Sequence, residues 1–104
     1  MDIMLKEVGI DGLYVTASGR LDLDNAVVYG AKIKDFIEDS PEQITNVTLD
    51  FSEITFISSF GLKVILELYK QLNGQKGVLK LKNVSEQLKN SFVIVGFDKF
   101  LLFE

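Results

Sequence analysis

The sequence predicts an α/β fold, in which a single mixed β-sheet starts with a hairpin, continues through β-α-β crossovers and has helices packed on it. Segments with alternating apolar residues are followed by segments whose apolar residues recur at three- and four-residue steps, as in a helix. The segment order β-β-α-β-α-β-α-(β) favours parallel crossovers after an antiparallel start. A chain of 104 residues has the size of one domain, so we expect residues 1–104 to form one.

The N-terminal segment is predicted to be a β-hairpin. Apolar residues mark a first strand over residues 3–8, and Asp11-Gly12 supplies the turn chemistry. Residues 13–18 alternate between apolar and polar, which predicts a second strand that ends at Gly19.

The next segment is predicted to be a loop followed by a helix. The loop is GRLDLDNA at 19–26, where Asp24 or Asn25 can cap the helix. The apolar stripe runs from Ala26 to about residue 39 and is weakened by an interior glycine. Ser40-Pro41 ends this helix, because the residue before a proline disfavours the helical conformation.

The central segment, residues 46–72, is predicted to organise the chain as a buried strand, a loop over 54–59 and a helix. Alternating apolar residues mark the strand over 47–51, and Ile54, Phe56 and Ile57 are expected to close the loop onto the core. The helix has one apolar face, formed by Leu62, Ile65, Leu66, Tyr69 and Leu72.

Two adjacent serines begin that helix, and two interpretations of them stay open. Ser58 or Ser59 can be a simple N-cap, whose hydroxyl accepts a hydrogen bond from the first turn. Alternatively, one hydroxyl is chemically modified at a helix N-terminus, a place suited to phosphate. Gly61 is expected to let the backbone pack closely.

The C-terminal segment predicts a further strand, a last helix and a short ending. Val78, Leu79 and Leu81 mark the strand, after a turn around Lys76. Asn83 and Ser85 can start a helix that Gly96 terminates. This helix is expected to cover Leu88, Phe92, Val93 and Val95, and residues 100–103 are expected to form a short strand or tail.

Composition excludes several kinds of chemistry. The chain has no cysteine and no histidine, so it lacks a thiol nucleophile, a Ser-His-Asp triad and a histidine metal site. A net charge of −4 without a basic patch argues against nucleic acid as a partner. Neither a signal peptide nor a membrane span is predicted. We therefore expect a cytoplasmic protein that is not an enzyme and needs no cofactor or metal. A metal site made only of oxygen ligands stays open, but the carboxylates are scattered apart from Asp22 and Asp24.

Two predicted loops end at helix starts, and such loops carry the functional surface in sheets of this kind. They are residues 19–25 and 54–59. If they are neighbours, one patch is formed by Asp22, Asp24, Asn25, Ser58 and Ser59. For the two aspartates, loop turns and a cap are the alternative explanation.

Three segments resemble the STAS domain of anti-sigma factor antagonists. They are GRLDLDNA at 19–26, VTLDFSEITFISSFGLKVILELYKQL at 47–72 and VSEQLKNSFVIVGFDKFLLFE at 84–104. They follow the order and spacing of that family. The central motif, an apolar pair followed by Asp/Ser-Ser-x-Gly-Leu, is fairly specific.

The resemblance implies a partner switch. In the family, the serine that matches Ser59 is phosphorylated by an anti-sigma factor kinase and dephosphorylated by a PP2C-type phosphatase. The unphosphorylated form binds the anti-sigma factor, and the sigma factor is released. Ser58, where many members have Asp, is the second choice for the modification. Phe60 stands where the family usually has a small residue, and it can hinder a kinase or serve as an anchor for a partner.

The predicted partner surface combines both loops with the exposed side of the central helix. On that side Lys63 and Glu67 are charged, and Val64 is expected to be the apolar member of the docking face. A solvated Lys63–Glu67 pair is the plainer explanation of the charges. The predicted set is Asp22, Asp24, Asn25, Ser58, Ser59, Phe60, Gly61, Lys63, Val64 and Glu67.

Two other functions compete with the switch. The first is a STAS-like adaptor without phosphorylation, such as an accessory subunit of a transporter or of a signalling assembly. The second is a small enzyme or ligand-binding protein that uses the patch of Asp22 and Ser59. The second has few chemical groups available, since the chain lacks a phosphate loop of the GxxxxGK type.

Overall fold

The computed structural model describes residues 1–41 and 43–104. This part of the chain forms a five-stranded sheet, three α-helices and a short 3-10 helix. The elements are β1 (Asp2–Val8), β2 (Gly12–Leu21), α1 (Leu23–Asp39), β3 (Asn46–Ile57), α2 (Ser59–Gly74), β4 (Val78–Lys82), α3 (Glu86–Ile94), the 3-10 helix (Phe97–Lys99) and β5 (Leu102–Phe103). The predicted mixed α/β fold and the order of its elements are confirmed.

The strands lie side by side in the order in which they occur along the chain. β1 is antiparallel to β2, as the predicted hairpin requires, and each later neighbour is parallel. Parallel strands have their C-terminal ends at the same end of the sheet, so α1 and α2, which follow β2 and β3, both begin there.

One face of the sheet carries the hydrophobic core. Apolar side chains of β2, β3 and β4 alternate with polar ones, and the apolar set is buried. The other face carries polar side chains such as Tyr14 and Asp50, so the helices cover one face only. The largest fully buried side chains include Tyr29, Phe51, Phe92, Leu49 and Ile65.

The two predicted loops at the helix starts are far shorter than expected. β2 continues past Gly19 to Leu21, and β3 continues to Ile57, because the two strands stay paired up to these residues. The pairing passes two irregularities in register, and Gly19 adopts the left-handed φ of +110° beside one of them. A single residue then separates each strand from its helix, Asp22 in the first case and Ser58 in the second.

Helix α1 begins three residues earlier than predicted, because Asp22 caps it and not Asp24 or Asn25. Its predicted end before Ser40-Pro41 is confirmed. Gly30 does more than weaken the helix: a Cβ built there would lie 2.7 Å from Cγ1 of Val64 on α2. The glycine therefore lets α1 and α2 approach closely.

Helix α2 buries a wider face than the sequence predicts. Leu62, Ile65 and Leu72 are buried as expected, whereas Leu66 and Tyr69 are half-buried. Two residues outside the predicted stripe, Val64 and Leu68, are also buried. The reason is that α2 packs on the sheet with one side and against α1 with another.

At the C-terminal end, Ser85 caps α3 and Gly96 follows it with φ of +80°. Leu88 and Phe92 are buried as predicted, but Val93 and Val95 are exposed, so the prediction is wrong for these two. β5 confirms the predicted short final strand, and its Phe103 ring lies 5.5 Å from the Phe92 ring, centroid to centroid.

A polar network on the uncovered sheet face ties β2, β3 and the end of β4 together. The Asp50 carboxylate accepts hydrogen bonds from the Tyr14 hydroxyl at 2.6 Å, the Ser52 backbone amide at 2.9 Å and the Asn83 side-chain amide at 3.2 Å. Partial burial acts to raise the pKa of Asp50, but the hydrogen bonds from Tyr14, Ser52 and Asn83 outweigh it and hold the pKa at about 2. The same contact with Asp50 raises the pKa of Tyr14.

Candidate functional site

The candidate site lies where two strand–helix turns meet. Leu21 at the end of β2 pairs in parallel register with Ile57 at the end of β3. The first turn joins β2 to α1 through Asp22, and the second turn joins β3 to α2 through Ser58. Each of these two residues caps a helix, so the two helix starts are neighbours. The two turns are therefore neighbours, which is the condition that the sequence set for a shared patch.

Backbone and side-chain hydrogen bonds fix the two turns to each other. The carbonyl oxygen of Leu21 accepts from the Ser58 backbone amide at 2.9 Å and from the Ser58 hydroxyl at 3.1 Å. The hydroxyl oxygen also accepts from the Gly61 amide at 3.1 Å, which makes Ser58 the N-cap of α2. The Ser58 hydroxyl therefore serves the fold both as donor and as acceptor.

Ser59 differs from its neighbour in both position and surroundings. It is the first residue of α2, and it is exposed. Because Ser58 supplies the cap, the Ser59 hydroxyl is not required to hold the helix start. The open question of which serine caps the helix is thus answered in favour of Ser58, and the hydroxyl of Ser59 is accessible to another protein.

Gly61 provides the close packing that the sequence predicts. A Cβ at this position would lie 2.8 Å from the Leu21 carbonyl oxygen and 2.8 Å from Cγ1 of Ile57. A side chain would therefore push α2 away from the end of β2, since the carbonyl belongs to the backbone and cannot move aside cheaply.

The first turn contributes acidic groups to the site. The Asp22 carboxylate accepts from the Asn25 backbone amide at 3.1 Å, and the Asn25 side-chain amide donates to the Arg20 carbonyl oxygen at 2.9 Å. Asp24 is exposed in the first turn of α1. Asp22 and Asn25 therefore shape the turn, and Asp24 presents its charge to solvent.

Helix α2 presents part of the predicted docking face. Lys63 and Glu67 are exposed, and the Lys63 ammonium lies 6.0 Å from the centroid of the half-buried Phe60 ring. Among the described residues, no ion pair joins Lys63 to Glu67. Val64 is only 8% exposed, because it packs against α1 at Gly30, so the prediction of an exposed apolar residue at this position is wrong.

A groove between α1 and α2 opens next to the serines, and the sequence did not predict it. Its volume is about 390 Å³. Phe60 lies at this groove together with Val27 and Ala31 of α1. Its walls are charged, with Lys34 on α1 and Glu67 on α2. The groove supplies the apolar surface that Val64 alone does not expose.

Arg20 and Phe56 form a second feature that the sequence did not reveal. The Arg20 guanidinium lies 4.1 Å from the Phe56 ring centroid, and Phe56 is 36% exposed instead of closing onto the core. The stacked pair follows from the extension of β2 and β3 beyond Gly19, where the two residues are register partners. It places a cation at the rim of the first turn.

Within residues 1–41 and 43–104, no group of three or more carboxylates is arranged to hold a metal ion. The helices described are also too short or too polar for any of them to cross a membrane.

Comparison with known proteins identifies the class of domain. The sequence model of the STAS domain family matches residues 3–104, so the chain belongs to the STAS domain family. Within this family it belongs to the anti-sigma factor antagonists. A curated relative, the anti-sigma-B factor antagonist of Bacillus subtilis (strain 168), is 30% identical over 84 residues, which are 81% of this chain and 73% of the relative.

Solved structures show the same fold. The anti-sigma factor antagonist SpoIIAA in its unphosphorylated form superposes with a TM-score of 0.78 at 19% identity, covering 99% of this chain and 87% of that one. The Bacillus cell fate determinant SpoIIAA in the phosphorylated form gives a TM-score of 0.77 at 21% identity, covering 99% and 91%. The STAS-like fold expected from the sequence is confirmed.

Proposed function

We propose that this protein is a phosphorylation-controlled partner switch acting in the cytoplasm. In its unphosphorylated form it binds an anti-sigma factor that is also a serine kinase, and the sigma factor is released. The kinase transfers phosphate to Ser59, and a PP2C-type phosphatase removes it. Membership of the anti-sigma factor antagonists supports the partner class, and the accessible Ser59 hydroxyl supports the site.

The observation that supports the proposal most is that only one of the two adjacent serines has a structural role. Ser58 holds the start of α2 through its bonds to Leu21 and Gly61, whereas Ser59 is exposed at the same helix start. A phosphate on Ser59 adds about −1.5 to −2 charges at neutral pH. The N-terminal end of a helix stabilises such a charge, so the fold is expected to survive the modification.

The same phosphate changes what a partner meets. Asp22 and Asp24 already make the neighbouring turn acidic, and a dianion on Ser59 adds like charge to this surface. A partner that fits a neutral hydroxyl must then desolvate a bulky charged group, which lowers affinity. Stability and binding are therefore separately controlled: the cap holds the fold, and the exposed hydroxyl controls the docking.

Phe60 is proposed as the aromatic anchor of the docking surface. Its ring is half-buried and lies at the groove between α1 and α2, one residue from Ser59. Aromatic side chains next to a pocket often dominate the energy of an interface. Phe60, Lys63 and Glu67 then form the part of the surface that a particular kinase recognises.

A phosphorylation assay with site mapping tests the proposal. The unaltered protein, Ser59→Ala and the matched control Ser58→Ala are each incubated with ATP and a candidate anti-sigma factor serine kinase from the same genome, and the phosphopeptides are identified by mass spectrometry. We expect phosphate on Ser59 in the unaltered protein and in folded Ser58→Ala, and none in Ser59→Ala. Phosphate on Ser58, or none on the unaltered protein, contradicts the proposal; the second result favours a non-phosphorylated adaptor.

A further inference from the structure

The two edges of the sheet are unequal, and the longer one is open. β1 pairs with β2 over seven consecutive residues, from Asp2 with Ser18 to Val8 with Gly12. On its other side, none of residues 1–41 and 43–104 forms a strand next to it. The opposite edge is β5, which has only two residues, Leu102–Phe103. A long unpaired edge is a template for another strand.

Over residues 2–6 the side chains of β1 divide between the two faces of the sheet, whereas Glu7 places a charge on the helix-covered face and Val8 an apolar residue on the other. Ile3 and Leu5 are half-buried on the helix-covered face, where each is opposite a buried residue of β2. Asp2, Met4 and Lys6 are exposed on the uncovered face, and Met4 is 70% exposed. A strand that pairs with this edge must therefore offer apolar residues on one face and charged residues on the other.

We propose that the open β1 edge binds a second copy of this chain, in an antiparallel pair centred on Met4. In that register Asp2 of each copy is opposite Lys6 of the other, and Ile3 of each is opposite Leu5 of the other. The two opposite-charge pairs lie on the uncovered face and the two apolar pairs on the helix side. The occupant is thus defined by charge complementarity of the strand with itself.

The neighbouring registers lack this complementarity. Centring the pair on Leu5 places Met4 opposite Lys6 and Ile3 opposite Glu7, which sets apolar residues against charges. Centring it on Lys6 brings two ammonium groups together at the two-fold axis. Charges on an edge strand normally prevent pairing with foreign strands. Here they exclude other partners and other registers but fit a second copy in one register.

The surroundings of the edge allow the two copies to meet. A two-fold axis perpendicular to the sheet keeps the helix-covered faces of both copies on the same side. A groove of about 430 Å³ between β1 and α1 has Leu5 and the half-buried Phe36 in its lining, so the apolar pairs gain cover from α1. Ser58 and Ser59 of the candidate site stay free, because they follow β3, which β1 and β2 separate from the partner. The inference is therefore independent of phosphorylation at Ser59.

A charge-swap experiment tests the register. The unaltered protein, Asp2→Lys, Lys6→Asp and the double variant are compared by sedimentation equilibrium at low ionic strength, up to about 1 mM protein, where a weak interface is populated. We expect the average mass of the unaltered protein to rise from 11.7 kDa toward twice that value. Each single variant should raise the dissociation constant about tenfold, and the double variant should restore it.

Mixing the two single variants gives a further diagnostic result. The β1 strand of Asp2→Lys carries lysine at positions 2 and 6, and that of Lys6→Asp carries aspartate at both. Each lysine then faces an aspartate in the mixed pair, so the mixture should associate more tightly than either variant alone.

Two further variants separate the edge from the rest of the surface. Met4→Lys, which sets two like charges at the two-fold axis, should abolish association, whereas Ile94→Lys, at an 83% exposed position on α3, should leave it unchanged. A protein that stays monomeric, a double variant as weak as the single ones, or an effect of Ile94→Lys in place of Met4→Lys overturns the proposal.

Discussion

The two turns at the candidate site share one construction but differ in charge. In each, a strand ends, one residue caps the following helix, and the backbone amide three residues later donates to the cap. The turn between β2 and α1 has an acidic cap, Asp22, and another acid, Asp24, lies in the first helical turn of α1. The second has the neutral cap Ser58 and no acid in the first turn of α2.

This difference supports the proposed phosphorylation at the second turn. At α1, two carboxylates already compensate the partial positive charge of the helix N-terminus. At α2, that partial charge is uncompensated, and the exposed Ser59 hydroxyl lies beside it. A phosphate dianion at the start of α2 therefore interacts favourably with the helix N-terminus, as the two carboxylates do at α1. Substitutions in and near the turns test this difference between them.

The largest effect is expected for Gly61→Ala, matched with Asn25→Ala at the equivalent position of the first turn. The new methyl group meets the Leu21 carbonyl oxygen, so we expect a loss of about 3 kcal/mol in the free energy of unfolding. Asn25→Ala loses one surface hydrogen bond to Arg20 and should cost about 1 kcal/mol or less. Urea denaturation measures both. An equal loss of unfolding free energy in both variants would show that the second turn is not packed more closely than the first.

The next effect concerns the two caps. Ser58→Ala removes the bond from the Gly61 amide and the bond to Leu21, so we expect a cost of about 1–2 kcal/mol. Asp22→Ala removes one capping bond and should cost about 1 kcal/mol. Thermal unfolding of both variants provides the comparison. A Ser58→Ala variant as stable as the unaltered protein would remove the reason for assigning the cap to Ser58.

A third effect is expected for Asp50, a carboxylate outside the turns. It lies on β3, the strand that leads to the second turn, and its hydrogen bonds connect β3 to β2 and to the residue after β4. Asp50→Asn should cost about 1 kcal/mol at neutral pH, since its charge accepts bonds from Tyr14 and Asn83. The folded-state pKa of about 2 lies below the usual 3.8, so this stability is present above about pH 4 and is lost as the pH falls toward 2. Urea denaturation from neutral pH down to about pH 2 should show the two proteins converging in acid. A constant difference would contradict the pKa assignment.

The smallest effect on stability is expected for Ser59. Ser59→Ala should change the free energy of unfolding by less than about 0.5 kcal/mol, because this residue is exposed and does not cap α2. Chemical denaturation beside Ser58→Ala tests the contrast within the second turn. A cost for Ser59→Ala as large as that for Ser58→Ala would show that both serines serve the fold.

The sequence predicted the order of the elements and most of the core, since both depend on local periodicity. The prediction failed where a contact with a residue far away in the sequence determines the local structure. The parallel pairing of Leu21 with Ile57 extended both strands into segments that resemble loops. The approach of Gly30 to Val64 buried a residue expected to be exposed. Neither contact leaves a signal within its own segment, because both join residues that are far apart in the sequence.

For the candidate site, the sequence indicated the positions of both turns better than it indicated the capping residues. Local composition pointed to both turns and both serines, and Gly61 packs as expected. Which residue caps each helix depends on where the strand before it ends, so Asp24 and Asn25 were preferred wrongly over Asp22. The groove beside Phe60 and the Arg20–Phe56 pair are formed between elements, so no single segment predicts them.

The central claim is that charge on Ser59 controls docking without disturbing the fold. The most direct measurement is calorimetric titration of the anti-sigma factor kinase with unphosphorylated protein and with protein phosphorylated at Ser59, alongside the melting temperature of each form. We expect affinity to fall at least about tenfold, a loss of about 1.4 kcal/mol or more in binding free energy, while the melting temperature changes little. Equal affinity of the two forms, or loss of the folded state on phosphorylation, would contradict this account.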